Sequence, residues 1–405
     1  MNKININNFI SKKIIKRSKS LFQSDIKNNL DIFQNEINNK SVLVIGGAGS
    51  IGSSFIKSIL NFSPSKIVVV DINENALTEL TRDLRSSFQI NMPNDYRTYP
   101  LSYNNEIFYR FLQNEGYFDI IANFAAHKHV RSEKNFYSIC SMFENNVFGN
   151  EKLLSFLKET PPKHFFCVST DKAANPVNLM GASKRLMEDV IFSFSDDIKI
   201  STARFANVAF SNGSLLDGFI NRISKQQPLT APLDIKRFFV SPIEAGELCL
   251  IACILGNNKE IFYPKISPNN SISFSQVSDL FLNEIGYQPL LMKNENDAKF
   301  YAKSMNLNDT EKKYPVFYFN SDTTGEKEIE EFFGKDEIRD EKKFSSLGII
   351  KYKHIDNHLF NKNILKLKNI LVSKTSSKLD VVEVMQDLVK NFHHDEKNKN
   401  LDQKM

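Results

Sequence analysis

The chain has 405 residues, 41% of them hydrophobic, which is enough for one large domain or two ordinary ones around a substantial core. Its 52 Lys and Arg against 47 Asp and Glu leave a net charge of +5, too small at this length to argue for a nucleic-acid partner, and no DNA- or RNA-binding motif is present. No apolar run reaches the roughly 18 residues of a membrane-spanning helix, and the four cysteines have no zinc-finger spacing.

Residues 1–40 are polar, rich in Asn and Lys, with a mild helical period, and read as an N-terminal helical extension. They lack a signal-peptide pattern, so a cytoplasmic protein with reduced thiols is expected. Lys12, Lys13, Lys16, Arg17 and Lys19 lie near Phe9, Ile10, Ile14 and Ile15. Such a helix can make a peripheral contact with an anionic membrane surface. The preferred reading is a solvated helix docked on its own domain or on a second subunit.

From Ser41 apolar strands alternate with helical segments. The predicted strands are Val42–Ile45, Lys66–Val70, Tyr96–Leu101, Asp119–Phe124, His164–Val168 and Ile198–Arg204. Between them the helical stretches are Ser53–Leu60, Ala76–Ser87, Ile107–Asn114 and Glu151–Lys158, with another from Met180 to Phe194. This alternation predicts an α/β fold of Rossmann type, a doubly wound and mostly parallel sheet over residues 41–206. After Ala206, Pro228, Pro232, Pro242, Pro264 and Pro268 punctuate shorter elements. Residues 207–380 are read as a smaller substrate-binding lobe with returning core elements. Cys249 and Cys253, four apart on an apolar helical run, read as core. Residues 381–405 read as a polar, flexible tail, disordered over Asp395–Met405.

Val42-Leu-Val-Ile-Gly46-Gly47-Ala48-Gly49-Ser50-Ile51-Gly52 is a strand, a glycine turn and a helix start. Gly46 permits the tight turn, Gly49 lets the backbone approach a pyrophosphate, and Gly52 allows close helix–strand packing. The helix start at Ser50 and Ile51 offers free N–H groups to phosphates. Asp71 ends the second strand, where a carboxylate accepts from ribose hydroxyls and repels a 2′-phosphate. NAD is therefore expected rather than NADP.

The fourth strand ends in Ala125 and Ala126, small enough for a cofactor to approach, followed by His127, Lys128 and His129. Lys128 is a candidate for facing substrate, and no metal is expected there. After the fifth strand comes Ser169-Thr-Asp-Lys-Ala-Ala-Asn-Pro-Val-Asn-Leu-Met-Gly-Ala-Ser-Lys-Arg185, which delivers hydroxyls, a carboxylate and an amine to the sheet's carboxyl edge, a catalytic edge. Asp171 and Lys172 are adjacent there, which suits an acid and a base on one substrate edge. Met180 and Lys184 are four apart and share a helix face.

Together the glycine turn, Asp71, AAHKHV from Ala125, NNVFGN from Asn145, STDKAANPVNLMGASKR from Ser169, RFANV from Arg204, RFF from Arg237 and GEKEIEE from Gly325 resemble the extended short-chain dehydrogenase/reductases. More narrowly they resemble the nucleotide-sugar 4,6-dehydratases of the polysaccharide-biosynthesis (CapD-like) group, over roughly residues 40–335. Most of that superfamily carries a catalytic Tyr where this chain has Met180, and methionine cannot take a proton. Members of the dehydratase group also carry Met there, so the resemblance points away from the epimerase and ketoreductase branches. It implies NAD, a UDP-N-acetylglucosamine-like substrate, a homo-oligomer, and a product used for surface polysaccharide. It also implies Lys172 as the C5 base, Asp171 as the acid for the C6 hydroxyl, and Thr170 at the C4 hydroxyl. Lys184 would hold the nicotinamide ribose, and Asn146 would orient the active-site helix. Asn207 and Arg237 would contact the diphosphate, with Lys327 near the nucleotide. Lys172 must be neutral at some point, so its pKa is expected to be lowered by desolvation or by Lys184. Two departures stand out: Thr323-Thr324 replaces an Arg-Pro before Gly325, and Leu101-Ser102-Tyr103 replaces an acidic pair. The alternatives are a nucleotide-sugar epimerase and a catalytically inert NAD-binding scaffold.

Overall fold

The computed structural model describes residues 4–305, 312–353 and 357–397. Its central sheet has nine strands. Six come from the first half of the chain: β1 Ser41–Ile45, β2 Lys66–Asp71, β3 Asp95–Pro100, β4 Ile120–Asn123, β5 His164–Val168 and β6 Ile200–Ala203. They lie side by side, all parallel, in the order β3-β2-β1-β4-β5-β6. That is the Rossmann order, and the α/β, doubly wound fold holds. The strand Glu260–Pro264 adds to β6 in parallel. Leu347–Lys351 and Ile338–Asp340 then close that side as antiparallel strands.

Every residue of β4 and β5 is buried, because a parallel sheet is covered on both faces and selects continuous apolar runs. Each sequence-derived strand matches an observed one to within two residues at either end. On one face the helices Ser50–Leu60 and Pro242–Leu255 pack together. The second is apolar on nearly all sides, with Cys249 and Cys253 both in the core. Chain order reverses between β1 and β4, and that switch point is where ligands bind in open α/β sheets.

A small parallel sheet of Gln288–Leu291, Lys313–Phe319 and Leu229–Pro232 builds a second cluster with the helices Leu215–Ser224 and Phe274–Glu284. Phe9, Ile10 and Ile14 of the N-terminal segment are buried in that cluster. Arg17 pairs with Glu244 at 2.6 Å. The extension therefore docks on its own chain, with Phe9, Ile10 and Ile14 buried there.

The expectation of a flexible tail fails for residues 381–397. The helix Lys378–Leu388 buries Val381, Val384 and Met385 against Leu179, Met180 and Leu186, together with Phe360 and Leu367 of the helix Asn357–Val372. The charged residues face outward and hide that apolar stripe in a composition count. Residues 398–405 of the expected disordered tail lie outside the described residues.

Candidate active site

Gly46 sits at φ +70, and a Cβ there would lie 2.5 Å from the backbone nitrogen of Ala125. Only glycine permits both the turn and the close approach to the end of β4. At Gly52 a Cβ would meet the Gly46 carbonyl at 2.5 Å, so the helix Ser50–Leu60 packs directly on the turn. No side chain caps that helix, which leaves its first N–H groups and positive dipole end facing outward. Asp71 accepts from Ala48 N at 3.0 Å and from Asn73 N at 2.9 Å, bracing the glycine loop from the end of β2. The Ser50 hydroxyl accepts from Asn212 N at 2.8 Å, and Ile51 is half-buried behind it. An open helix start, a turn without side chains and a carboxylate at the second strand fit a dinucleotide.

Beyond Ala125 and Ala126, both half-buried, Asn146 clamps the chain. Its side chain accepts from His127 N at 2.8 Å and donates to the His127 carbonyl at 3.0 Å and to Ser183 Oγ at 3.1 Å. Ser183 is on the helix Leu179–Ser193, so Asn146 ties the β4 end to that helix. Two further buried asparagines extend the ladder: Asn150 donates to the Asn146 carbonyl at 2.9 Å, and Asn123 donates to Asn150 Oδ1 at 2.9 Å. Sequence reasoning missed both. A polar residue inside the apolar Ile120-Ile-Ala-Asn123-Phe run was the available signal.

After β5, Thr170 caps a short turn, Asp171–Ala173, with its hydroxyl donating to Asp171 Oδ1 at 2.9 Å. Lys172 Nζ lies 3.1 Å from Asp171 Oδ1 and 3.4 Å from Glu330 Oε1. Asn178 caps the helix Leu179–Ser193 and also donates to the Gly325 carbonyl at 2.7 Å. A Cβ on Gly181 would meet the Lys172 carbonyl at 2.6 Å, so the first helical turn rests on the Lys172 turn.

The pKa expectation for Lys172 is overturned in direction. Burial pulls it down, but the carboxylates of Asp171 and Glu330 outweigh burial and Arg237, and the result is raised. Lys184 does not act on it: its ammonium donates to the Val168 carbonyl at 2.8 Å and approaches Met187 Sδ at 3.4 Å. Lys184 itself is lowered, by desolvation. Met180 is 2% exposed among Ile139, Met142 and Phe143, and packs rather than presents a reactive group.

The residues expected to bind substrate are more dispersed. Arg237 is 4% exposed; its Nη1 donates to the carbonyls of Lys236, Lys327 and Glu328 at 2.9, 2.9 and 3.2 Å. Its Nη2 lies 3.6 Å from Glu330 and 3.8 Å from Glu326. In this geometry it braces the segment after Gly325 instead of offering a free fork to a phosphate. Lys128 is an exposed residue whose ammonium donates to the Asn212 carbonyl at 2.9 Å; partial desolvation of that amine lowers its pKa, with Asp217 opposing. Asn207 is half-buried and Lys327 lies 3.7 Å from Glu331. Both sequence departures have structural roles. Thr324 bonds Glu396 at 2.8 Å, and Tyr103 is a buried residue whose hydroxyl donates to the Asn145 carbonyl.

A family model described as polysaccharide biosynthesis protein matches residues 42–351. The chain belongs to this family. Among curated relatives it is 35% identical over 261 residues to a Methanocaldococcus jannaschii chain named uncharacterized membrane protein MJ1061, covering 62% of this chain and 74% of that one. It is 32% identical to the Staphylococcus aureus capsular polysaccharide biosynthesis protein CapD, over 60% of this chain but only 40% of that protein. It is 30% identical to a Campylobacter jejuni UDP-N-acetylglucosamine 4,6-dehydratase (inverting), over 56% of this chain and 68% of that one. Rickettsia chains named UDP-glucose 4-epimerase also align, at 27% and 28% identity. Among solved structures, Pen from Bacillus thuringiensis has a TM-score of 0.62 at 23% identity, covering 79% of this chain and 90% of that one. Among the described residues no helix is long and apolar enough to cross a membrane.

Proposed function

We propose that this family member is a nucleotide-sugar 4,6-dehydratase that holds NAD and acts on a UDP-N-acetylhexosamine-like substrate for surface-glycan synthesis. The observation that carries the reading is the Asp171–Lys172 pair, 3.1 Å apart at the end of β5, with Met180 packed where an epimerase would need a tyrosine. When bound at the glycine turn, the cofactor supplies reversible hydride acceptance. The chain's own residues supply the proton work.

Asp171 and Lys172 share one proton. As an ion pair they are inert toward a C–H bond; transfer of that proton across the pair yields a neutral amine and a carboxylic acid without exchange with solvent. The amine removes the C5 proton, acidified by a 4-keto group. The carboxylic acid protonates the departing C6 hydroxyl. Thr170, whose hydroxyl already bonds Asp171, is the group proposed to meet the C4 hydroxyl. Lys184 would orient the nicotinamide ribose. Asp71, Gly46, Gly49, Ser50, Ile51 and Gly52 would cradle the dinucleotide, with Ala125 and Ala126 on its other side. Lys128, Asn207 and Lys327 would border the nucleotide sugar.

Incubation of the purified protein with UDP-N-acetylglucosamine, read by mass, tests this. A product lighter by one water is expected. An isomer of unchanged mass would instead identify an epimerase, and no turnover across UDP- and GDP-sugars would leave a non-catalytic NAD-binding protein.

A further inference from the structure

Glu330 lies within the GEKEIEE stretch from Gly325, where the sequence alone assigns it no role. It is 5% exposed and follows the Gly325-Glu-Lys327 element by three residues. A buried carboxylate needs counter-charge, and its Oε1 has two cations, Lys172 Nζ at 3.4 Å and Arg237 Nη2 at 3.6 Å. Its acidic neighbours are committed elsewhere. Glu326 accepts from the hydroxyls of Ser321 and Thr323 at 2.6 and 2.9 Å, and Glu331 accepts from Asn175 at 2.8 Å.

We propose that Glu330 is a positioning residue that holds Lys172 between two carboxylates and keeps the shared proton on the Asp171–Lys172 pair. This deepens the dehydratase reading and rests on it for the roles of Asp171 and Lys172. Arg237, fixed by three backbone carbonyls, anchors Glu330. Glu330 in turn fixes the end of the long, flexible lysine stem.

The groups facing Lys172 are Asp171 from its own turn, Glu330 from the segment after Gly325, and Arg237 from the strand Lys236–Arg237. Desolvation alone would strip the ammonium and leave an anionic Asp171, with no acid for the C6 hydroxyl. Glu330 opposes that loss. The active form of the pair holds one proton, so activity follows a bell in pH. Removing the Glu330 charge lowers the affinity for that proton and moves the alkaline limb down.

Glu330→Gln keeps the shape and deletes the charge. The alkaline limb of kcat should shift down by about one pH unit, the scale expected of a charge lost within 4–6 Å. Glu330→Asp, which retains the charge, should restore the limb. A second readout needs no turnover: acetylation of Lys172 in the full chain by acetic anhydride at pH 9, followed by peptide mass spectrometry. Its rate should rise about tenfold in Glu330→Gln, the factor for one pKa unit. An unchanged labelling rate with an unmoved limb, or a lower kcat with no displacement of the bell, would overturn the proposal. If the wild type removes water from no nucleotide sugar, the functional reading falls, while the labelling still decides whether Glu330 governs the Lys172 proton.

Discussion

Lys172 lies where three charges converge, and its chemistry is a contest between them. Burial favours the amine, while Asp171 and Glu330 favour the ammonium. Replacing it by Ala removes the proposed base and leaves Asp171 without its proton partner. Turnover should fall by about 10²–10⁴-fold, the range for a lost general acid–base group. The glycine turn and Asp71 are untouched, so the dinucleotide should stay bound. Mass detection of product and cofactor absorbance in the purified variant check both halves, and near-normal turnover would refute the assignment. Asp171 and Lys172 were legible because they are adjacent in sequence on a recognisable strand end. The direction of the Lys172 shift was not, because Glu330 and Arg237 reach it only through the folded lobe. Arg204 shows the same limit. Its side chain is fully buried between Glu188 and Glu337, both at 2.7 Å, and no local pattern announces such a pairing.

Among the elements, strands and long helices were readable because apolar runs and helical spacing are local properties. The π-helical turns Ile10–Ile14 and Glu144–Phe148 were not, since their hydrogen bonds leave little mark on side-chain spacing. The seat of the helix Leu179–Ser193 on the Lys172 turn gives a prediction at this scale. Gly181→Ala places a methyl 2.6 Å from the Lys172 carbonyl, so helix and turn must part. Turnover should drop by at least about tenfold, as expected when a reacting group is displaced. The thermal midpoint should fall measurably, because the clash is with buried backbone rather than with a flexible side chain.

The docking of the N-terminal segment is also testable. Glu247 on the helix Pro242–Leu255 bonds the Ser20 hydroxyl, and its carboxyl is pushed up to about 7, first by burial and then by Glu244, with the Ser20 bond opposing. The folded chain holds that proton more tightly than the unfolded one, whose carboxyl titrates near 4.5. The stabilisation is complete below about 4.5 and is lost as pH rises through 7. Glu247→Gln mimics the protonated acid. It should raise the thermal midpoint by a few degrees at pH 8 and hardly at all at pH 5. Equal effects at both values would show that the carboxyl does not carry this linkage.

At the scale of the whole molecule, the doubly wound sheet followed from strand–helix alternation, but its antiparallel edge and its C-terminal cover did not. Residues 357–397 lie beyond the stretch that the family model matches, yet they close over the helix Leu179–Ser193. The final segment adds a backbone link. His393 N donates to the Pro176 carbonyl at 3.2 Å and Asp395 N to the Val177 carbonyl at 3.0 Å. From the other side Gly325 N donates to the Asp395 carbonyl at 3.0 Å, and Lys397 N to Thr324 Oγ1 at 3.1 Å. The chain thus straps the start of the helix Leu179–Ser193 to the element that carries Lys327 and Glu330. Thr324, which stood out in the sequence as a departure, is where the strap fastens. Phe392 is buried in the cluster that holds Met180 and Leu186, so ending the chain after it keeps that anchor and removes the strap. The Gly325 amide should then lose its protection from hydrogen exchange, because its acceptor is gone. With the loop loosened, KM for the nucleotide sugar should rise several-fold. If the strap also holds Glu330 against Lys172, the alkaline limb should move down with it, as in Glu330→Gln. A higher KM with an unmoved limb would confine the strap to nucleotide binding, and unchanged Gly325 exchange would show that it does not hold the loop.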